Sequence, residues 1–125
     1  MLYVHVCFIK IKALIYFFAY IWTNKYNQFL GQGHEGKLVN LVGKTTLPEL
    51  AVLLKKCKVL VSGDSGPMHL AACVGIPVVA LFRNDIPGKT KNRWGPWGKG
   101  HTVIERGSLL NINIDEVYTA IKKYL

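Results

Sequence analysis

Gly63-Asp64-Ser65-Gly66-Pro67, with His69 two residues further on, is the stretch whose residue types and spacing could do chemistry. A short apolar run, Val59 to Ser62, leads into it, and a helix opened by Pro67 leads out. Proline at the first helical position gives up no needed donor, because that N–H has no partner inside the helix. Free amides and the positive end of the helix dipole then converge on one spot, which suits a phosphate or diphosphate. Gly66 lets an anion approach the backbone closely. Asp64 is the informative neighbour: a carboxylate beside an anion is unfavourable unless it caps the helix, accepts ribose hydroxyls or orients His69. His69 lies one turn into the helix, able to face the same anion; a lone histidine there is more often a packed or hydrogen-bonding group than a general base.

The flanking elements that must position this corner are legible. Val59 to Ser62 and Val78 to Leu81 are short, β-branched and apolar on both alternations, the pattern of parallel strands covered on both faces. With a break at Gly75 between the helix and the second run, this is a βαβ unit, and the fold class is α/β with a parallel sheet flanked by helices. Open sheets of this kind generally bind ligands at the carboxyl ends of their strands. Upstream, Thr46 as N-cap, Pro48 in the first turn and Glu49 three residues after the cap predict a helix with a capping box, burying Leu50, Leu53 and Leu54. Lys55, Lys56 and Lys58 gather at its end, where the dipole favours cations. Downstream, residues 83 to 100 form a long loop with two tryptophans, of a length that is uncommon unless functional or mobile. His101 to Glu105 reads as a further strand, and Ile114 to Tyr124 as a last helix capped by Asn113, with Ile114, Val117 and Ile121 on one face.

The chain has 125 residues, half of them hydrophobic and 18% charged, enough for one compact domain and too few for two. Residues 37–125 form that domain, and residues 1–36 are an apolar segment expected to belong to it. For residues 2 to 22 three readings compete. A spanning helix needs roughly 20 apolar residues, whereas Lys10 and Lys12 interrupt this run. A signal peptide has its basic residues before the apolar core and small residues after it, which this stretch lacks. A strand over Tyr3 to Ile11 followed by a helix over Ala13 to Phe29 fits best, with a membrane-associated segment or a non-native start as the alternatives. Cys7, Cys57 and Cys73 are odd in number and form no C-x-x-C pair, which points to a reduced, cytoplasmic setting. The net charge of +9 points to an anionic ligand or surface. Arg83, Lys89, Lys91, Arg93 and Lys99 follow the second strand, yet no nucleic-acid motif is present, and no nucleic-acid partner is expected.

Several motifs fail on context. Gly31, Gly33 and Gly36 match a dinucleotide fingerprint, but a strand-like run, Leu38 to Val42, follows where a helix is required. Gly43-Lys44-Thr45 looks like the tail of a P-loop, but Leu38 stands where its first glycine should be. The Gly-Asp-Ser-Gly-Pro sequence resembles the nucleophile loop of chymotrypsin-like proteases, but no aspartate precedes Asp64 and only His5 and His34 lie upstream as candidate bases. A hydrolase of the Gly-Asp-Ser-Leu type would need a late Asp-x-x-His pair, which is absent. The sequence has no D-x-D pair, which argues against a divalent metal bridging a diphosphate.

From Asn40 to Glu105, Asp64-Ser65-Gly66-Pro67-Met68-His69-Leu70-Ala71-Ala72 followed by Gly75-x-Pro77-Val78-Val79-Ala80-Leu81-Phe82 resembles the carboxyl-terminal part of family 9 glycosyltransferases, the lipopolysaccharide heptosyltransferases. The resemblance covers about half the chain. It implies a Rossmann-like domain, the carboxyl-terminal half of a GT-B glycosyltransferase, and inverting heptose transfer from a nucleotide-sugar such as ADP-heptose, with no cofactor and no metal. Carried over by position, Asp64, Ser65, Gly66 and Pro67 would hold ribose and diphosphate with His69 supporting them, Lys44 and Thr45 would lie near the adenine or ribose, and Gly95-Pro96 would belong to the family's late loop. The acceptor-binding domain and its catalytic base have no counterpart here, so the resemblance implies an incomplete enzyme. It is expected to be inactive alone and to self-associate through an exposed apolar face or to join an acceptor-binding domain. Phe82-Arg83-Asn84-Asp85 stands where the family usually has Phe-Gly-Pro-Thr, which puts a charge beside the ligand. The setting implied is cytoplasmic, with peripheral contact at the inner face of the membrane. The competing reading is a non-catalytic module whose basic 83 to 99 loop binds a membrane surface or polyanion.

Overall fold

The computed structural model describes residues 15–17 and 44–125. Among these, β1 (Ile15–Phe17), β2 (Val59–Gly63), β3 (Val78–Arg83) and β4 (Thr102–Arg106) form one parallel sheet in chain order. Leu60 lies opposite Val78, and Gly63 opposite Leu81; Arg83 ends its strand opposite Arg106. Valine, leucine and other apolar residues on both alternations of β2 and β3 suit strands covered on both faces. Accordingly Val59 to Ser62 and Val78 to Phe82 are all buried.

One alternation, including Leu60, Val78, Ala80 and Phe82, packs beneath α1 (Leu47–Lys55) and α2 (Gly66–Cys73) through Leu50, Leu54, Met68 and Ala71. The other, including Val59, Val61, Val79 and Leu81, packs beneath α4 (Ile114–Lys122) through Val117, Ala120 and Ile121. Leu54 is fully buried, so truncating it to alanine would cost about 2–5 kcal/mol.

Helix ends follow local chemistry. Thr46 and Glu49 make the predicted capping box: the Thr46 N–H donates to Glu49 Oε2 at 2.7 Å and the Glu49 N–H donates to Thr46 Oγ1 at 3.5 Å. The Thr46 backbone N–H, and after it the Thr46 hydroxyl, which donates to the same Glu49 oxygen at 2.9 Å, hold the Glu49 carboxyl below its ordinary range. At the other end of α2, Gly75 takes φ +82, the left-handed geometry that glycine adopts without a Cβ penalty. Its N–H donates to Ala72 O at 3.1 Å and the Ile76 N–H to Ala71 O at 2.9 Å, which closes the helix in a Schellman motif. Asn113 caps α4 by accepting from the Asp115 N–H at 3.0 Å. Of the two cysteines among the described residues, Cys57 is buried, which pushes its thiol up to about 11, and Cys73 is exposed.

Four expectations need correction. Ile15–Phe17, expected inside a helix, is a strand paired with Val59 to Val61 of β2. An unbroken apolar run carries no periodicity to separate a buried strand from a buried helix, and Ile, Tyr and Phe fit a pleated surface well. The expected helix at the end of the chain stops at Lys122, with Tyr124 beyond it. The strand expected over Tyr3 to Ile11, the Gly31 to Gly36 loop and the run Leu38 to Val42 lie outside the described residues. Nor is 83 to 100 a plain loop: β3 continues to Arg83, and a short helix, α3 (Lys91–Trp94), interrupts the connection. Trp94 Nε1 donates to Gly88 O at 3.1 Å and folds the loop on itself. His101 begins no strand; its Nδ1 accepts the Val78 N–H at 3.1 Å and its Nε2 lies 3.1 Å from Trp97 O, so the imidazole ties the end of the loop to the start of β3. Among the described residues, no helix is long and apolar enough to cross a membrane.

Because the strands are parallel, the helices joining them run back against them. The starts of α1 and α2 therefore lie at the edge where the strands end. The start of α4 lies there too, since Tyr124 at its far end meets Thr102 at the start of β4, hydroxyl to hydroxyl at 2.7 Å.

Candidate functional site

At this carboxyl edge β2 passes directly into α2 through Asp64 and Ser65. Ser65 is the N-cap, with extended backbone (φ −159, ψ 163), but its side chain makes no capping bond to the helix. The helix begins one residue earlier than predicted, so Gly66 is the first helical residue and Pro67 the second. Of the first amides, those of Met68 and His69 both donate to Ser65 O, at 3.2 and 3.4 Å, and Pro67 has none. The Gly66 N–H has no acceptor among the described residues, and a Cβ built on Gly66 would meet nothing within 4 Å. An open amide therefore stands at the positive end of α2, with room beside it.

Asp64 and Gly66 are exposed, Ser65 and His69 half-buried, and Pro67 buried. Pro67 consequently shapes the turn without offering surface to a ligand. Lys44 is exposed and Thr45 half-buried, just ahead of the Thr46 cap. Since α1 and α2 pack side by side on one face of the sheet, Lys44 and Thr45 share the edge and the face of the Asp64 to His69 corner. All seven candidate residues thus belong to one end of the fold.

The sequence reading missed Ser62, the last buried residue of β2. It is fully buried on a face otherwise built from Leu60, Met68, Val78, Ala80 and Phe82. Its Oγ lies 2.9 Å from Ser65 Oγ and 3.0 Å from Gly63 O, while Ser65 Oγ lies 3.3 Å from the same carbonyl. A hydroxyl in an apolar strand, three residues before another serine across a turn, is the signal that could have found it.

The charge expected from Arg83 is paired locally. Its Nε and Nη2 donate to Asp85 Oδ1 and Oδ2 at 2.6 and 2.5 Å, and this bond holds the Asp85 carboxyl below its ordinary range. Both side chains are more than two-fifths exposed, so the pair adds little stability. On the neighbouring strand Arg106 pairs with Glu116. A cavity of about 220 Å³ opens at the opposite edge of the sheet, lined by Ile76, Pro77, Trp97, Lys99 and His101 among others. It adjoins the end of α2 and takes no part in the carboxyl-edge corner.

The family model described as glycosyltransferase family 9 (heptosyltransferase) matches residues 22–117. This chain belongs to glycosyltransferase family 9. Lipopolysaccharide heptosyltransferase 3 of Escherichia coli (strain K12) is 33% identical over 98 residues, covering 77% of this chain and 27% of that protein. Lipooligosaccharide heptosyltransferase 2 of Haemophilus influenzae is 46% identical over 52 residues, covering 42% of this chain and 15% of that protein. Among solved structures, E. coli ADP-heptose lps heptosyltransferase II superposes with a TM-score of 0.65 at 24% identity, over 90% of this chain and 36% of that one. A family 9 glycosyl transferase from Veillonella parvula gives 0.64, also at 24% identity, over 88% and 35%. These likenesses establish the fold, a Rossmann-like parallel sheet flanked by helices, as in the carboxyl-terminal half of GT-B glycosyltransferases. This family 9 chain spans about a quarter or less of the length of the two curated relatives.

Proposed function

We propose that this family 9 chain is the donor-binding half of a heptosyltransferase-type enzyme of lipopolysaccharide or other cell-surface glycan synthesis, and that the Asp64 to His69 corner holds the diphosphate of a nucleotide-sugar such as ADP-heptose. The observation that carries this is the open amino terminus of α2, with the Gly66 N–H unclaimed among the described residues and exposed Gly66 beside it. A phosphate oxygen accepts from that amide and lies at the positive end of the dipole. The Ser65 hydroxyl adds a second donor. Asp64 accepts the ribose hydroxyls, which turns a carboxylate unfavourable to phosphate into a partner for the sugar; His69 supports the phosphate from the first turn, and Pro67 shapes the turn. Lys44 and Thr45, at the same edge, approach the adenine or ribose, and Lys44 offsets diphosphate charge in a binding mode that uses no metal.

In this reading the described residues bind the donor, and transfer itself also needs an acceptor site and a base. On this reading the chain works in the cytoplasm, with peripheral contact at the inner face of the membrane. Calorimetric titration tests the site: the wild-type chain should bind ADP better than AMP, and Asp64→Ala should weaken ADP by about tenfold through lost charge-assisted bonds. Identical titration curves for the two proteins would remove the assignment.

One observation favours a second reading. Trp97 is 83% exposed, in a run between Asp85 and Glu105 that holds Lys89, Lys91, Arg93 and Lys99 and no acidic residue. Such a loop suits an anionic membrane surface. Salt separates the two: vesicle binding through this loop should collapse as ionic strength rises, while a shaped diphosphate site keeps discriminating ADP from AMP.

A further inference from the structure

Ser62 puts a hydroxyl into an otherwise apolar face of the sheet. A fully buried hydroxyl among Leu60, Met68, Val78, Ala80 and Phe82 costs free energy unless it is hydrogen-bonded, and alanine would suit that face without the penalty. Among the described residues its hydroxyl bonds reach only towards the corner, to Gly63 O at 3.0 Å and Ser65 Oγ at 2.9 Å.

We infer that Ser62 is a positioning residue for the anion site: it supports the Ser65 hydroxyl from behind, so that Ser65 can turn its proton outwards to a phosphate oxygen. This rests on the reading of the corner as a diphosphate site. Two hydroxyl protons share a small set of acceptors. In one arrangement Ser62 donates to Gly63 O and Ser65 donates to Ser62 Oγ, leaving only Ser65 lone pairs facing outwards, which repel an anion. In the other, Ser62 donates to Ser65 Oγ and Ser65 donates to Gly63 O, at 3.3 Å the longest of the three contacts. The second arrangement is the one an anion selects. Ser65 exchanges its weakest bond for a charge-assisted one, while the buried Ser62 O–H stays satisfied and polarises the Ser65 O–H it feeds. The missing capping bond of Ser65 follows from the same geometry, because its hydroxyl is turned back towards Ser62 instead of over the helix.

The test is a double-mutant cycle on the full chain, read by calorimetry with ADP and with adenosine. Ser62→Ala should weaken ADP about 3- to 10-fold, the worth of one hydrogen bond, and leave adenosine unchanged. Ser65→Ala should show a loss of the same kind, and the double variant should bind ADP no worse than Ser65→Ala alone, because Ser62 acts only through Ser65. Ser62→Cys is only slightly larger and donates weakly, so it should stay near the wild-type unfolding midpoint while sharing the ADP loss. That combination is not what a purely structural serine would produce. Wild-type affinity for ADP in Ser62→Ala and Ser62→Cys, equal losses for ADP and adenosine, or additive losses in the double variant would each overturn the role of Ser62 and leave the diphosphate site standing. A wild-type chain that binds neither ADP nor pyrophosphate would remove both.

Discussion

Two helices start side by side at the carboxyl edge of this sheet, and they finish their free amides in opposite ways. The start of α1 is closed by its own side chains: Thr46 and Glu49 exchange hydrogen bonds, and the carboxylate takes both the backbone N–H and the hydroxyl of Thr46, at 2.7 and 2.9 Å. The start of α2 is left open. Its N-cap serine makes no cap bond, its second residue is a proline, and its first amide finds no acceptor among the described residues. The closed start is a stability device, and the open one gives up part of that stability to keep a donor available.

A carboxylate placed on the open start should have the largest effect. Ser65→Asp should lower ADP affinity by about a hundredfold, since a negative charge near 4 Å from a phosphate opposes it by a few kcal/mol before screening. Ser65→Asn, a cap of the same shape without charge, should lose much less. Equal losses in the two variants, measured by calorimetry, would show that shape and not charge governs the corner.

A gentler variant is Gly66→Ala. The new methyl meets nothing within 4 Å, so the unfolding free energy should change by no more than about 0.5 kcal/mol, while ADP binding should fall by about tenfold because the methyl occupies the approach to the amide. Unaltered ADP affinity would show that the anion does not come to the Gly66 backbone.

On the closed start, Thr46→Ala should cost about 1 kcal/mol in urea denaturation. The Glu49 half of the box has a pH signature. Its pKa in the folded chain is lowered from an ordinary 4.5 by the Thr46 bonds, so its contribution is fully present above that ordinary value and is lost as pH falls through the lowered one. Wild type and Glu49→Gln should therefore differ in thermal midpoint at neutral pH and converge in acid. A gap that persists in acid would mean that the carboxylate is not what closes α1.

Features set by short-range chemistry are legible in the order of residues. The capping box needs only Thr46 and Glu49 three apart, the Asn113 cap only its own next turn, and the break at Gly75 only a residue free to take positive φ. Apolar runs on both alternations announce β2 and β3 as central strands, and with them the corner between them. What escapes is non-local or lies in runs without period. Ile15–Phe17 is a strand because β2 offers it an edge. Arg83 is expected as a bare charge beside the ligand, but its strand carries it to where Asp85 folds back on it. His101 reads as a strand residue, whereas its imidazole reaches 23 positions back along the chain to the Val78 N–H.

Residue order alone establishes a polar turn between two buried parallel strands, because strand periodicity, the proline at the helix start and the glycine beyond its end act within a few bonds of one another. Only the tertiary structure decided which helix start stays open and which neighbours serve it. That Ser62 stands behind Ser65, and that Lys44 and Thr45 come to the same edge as Asp64, depends on how the sheet turns each strand and returns each helix, a condition set by packing across the whole domain.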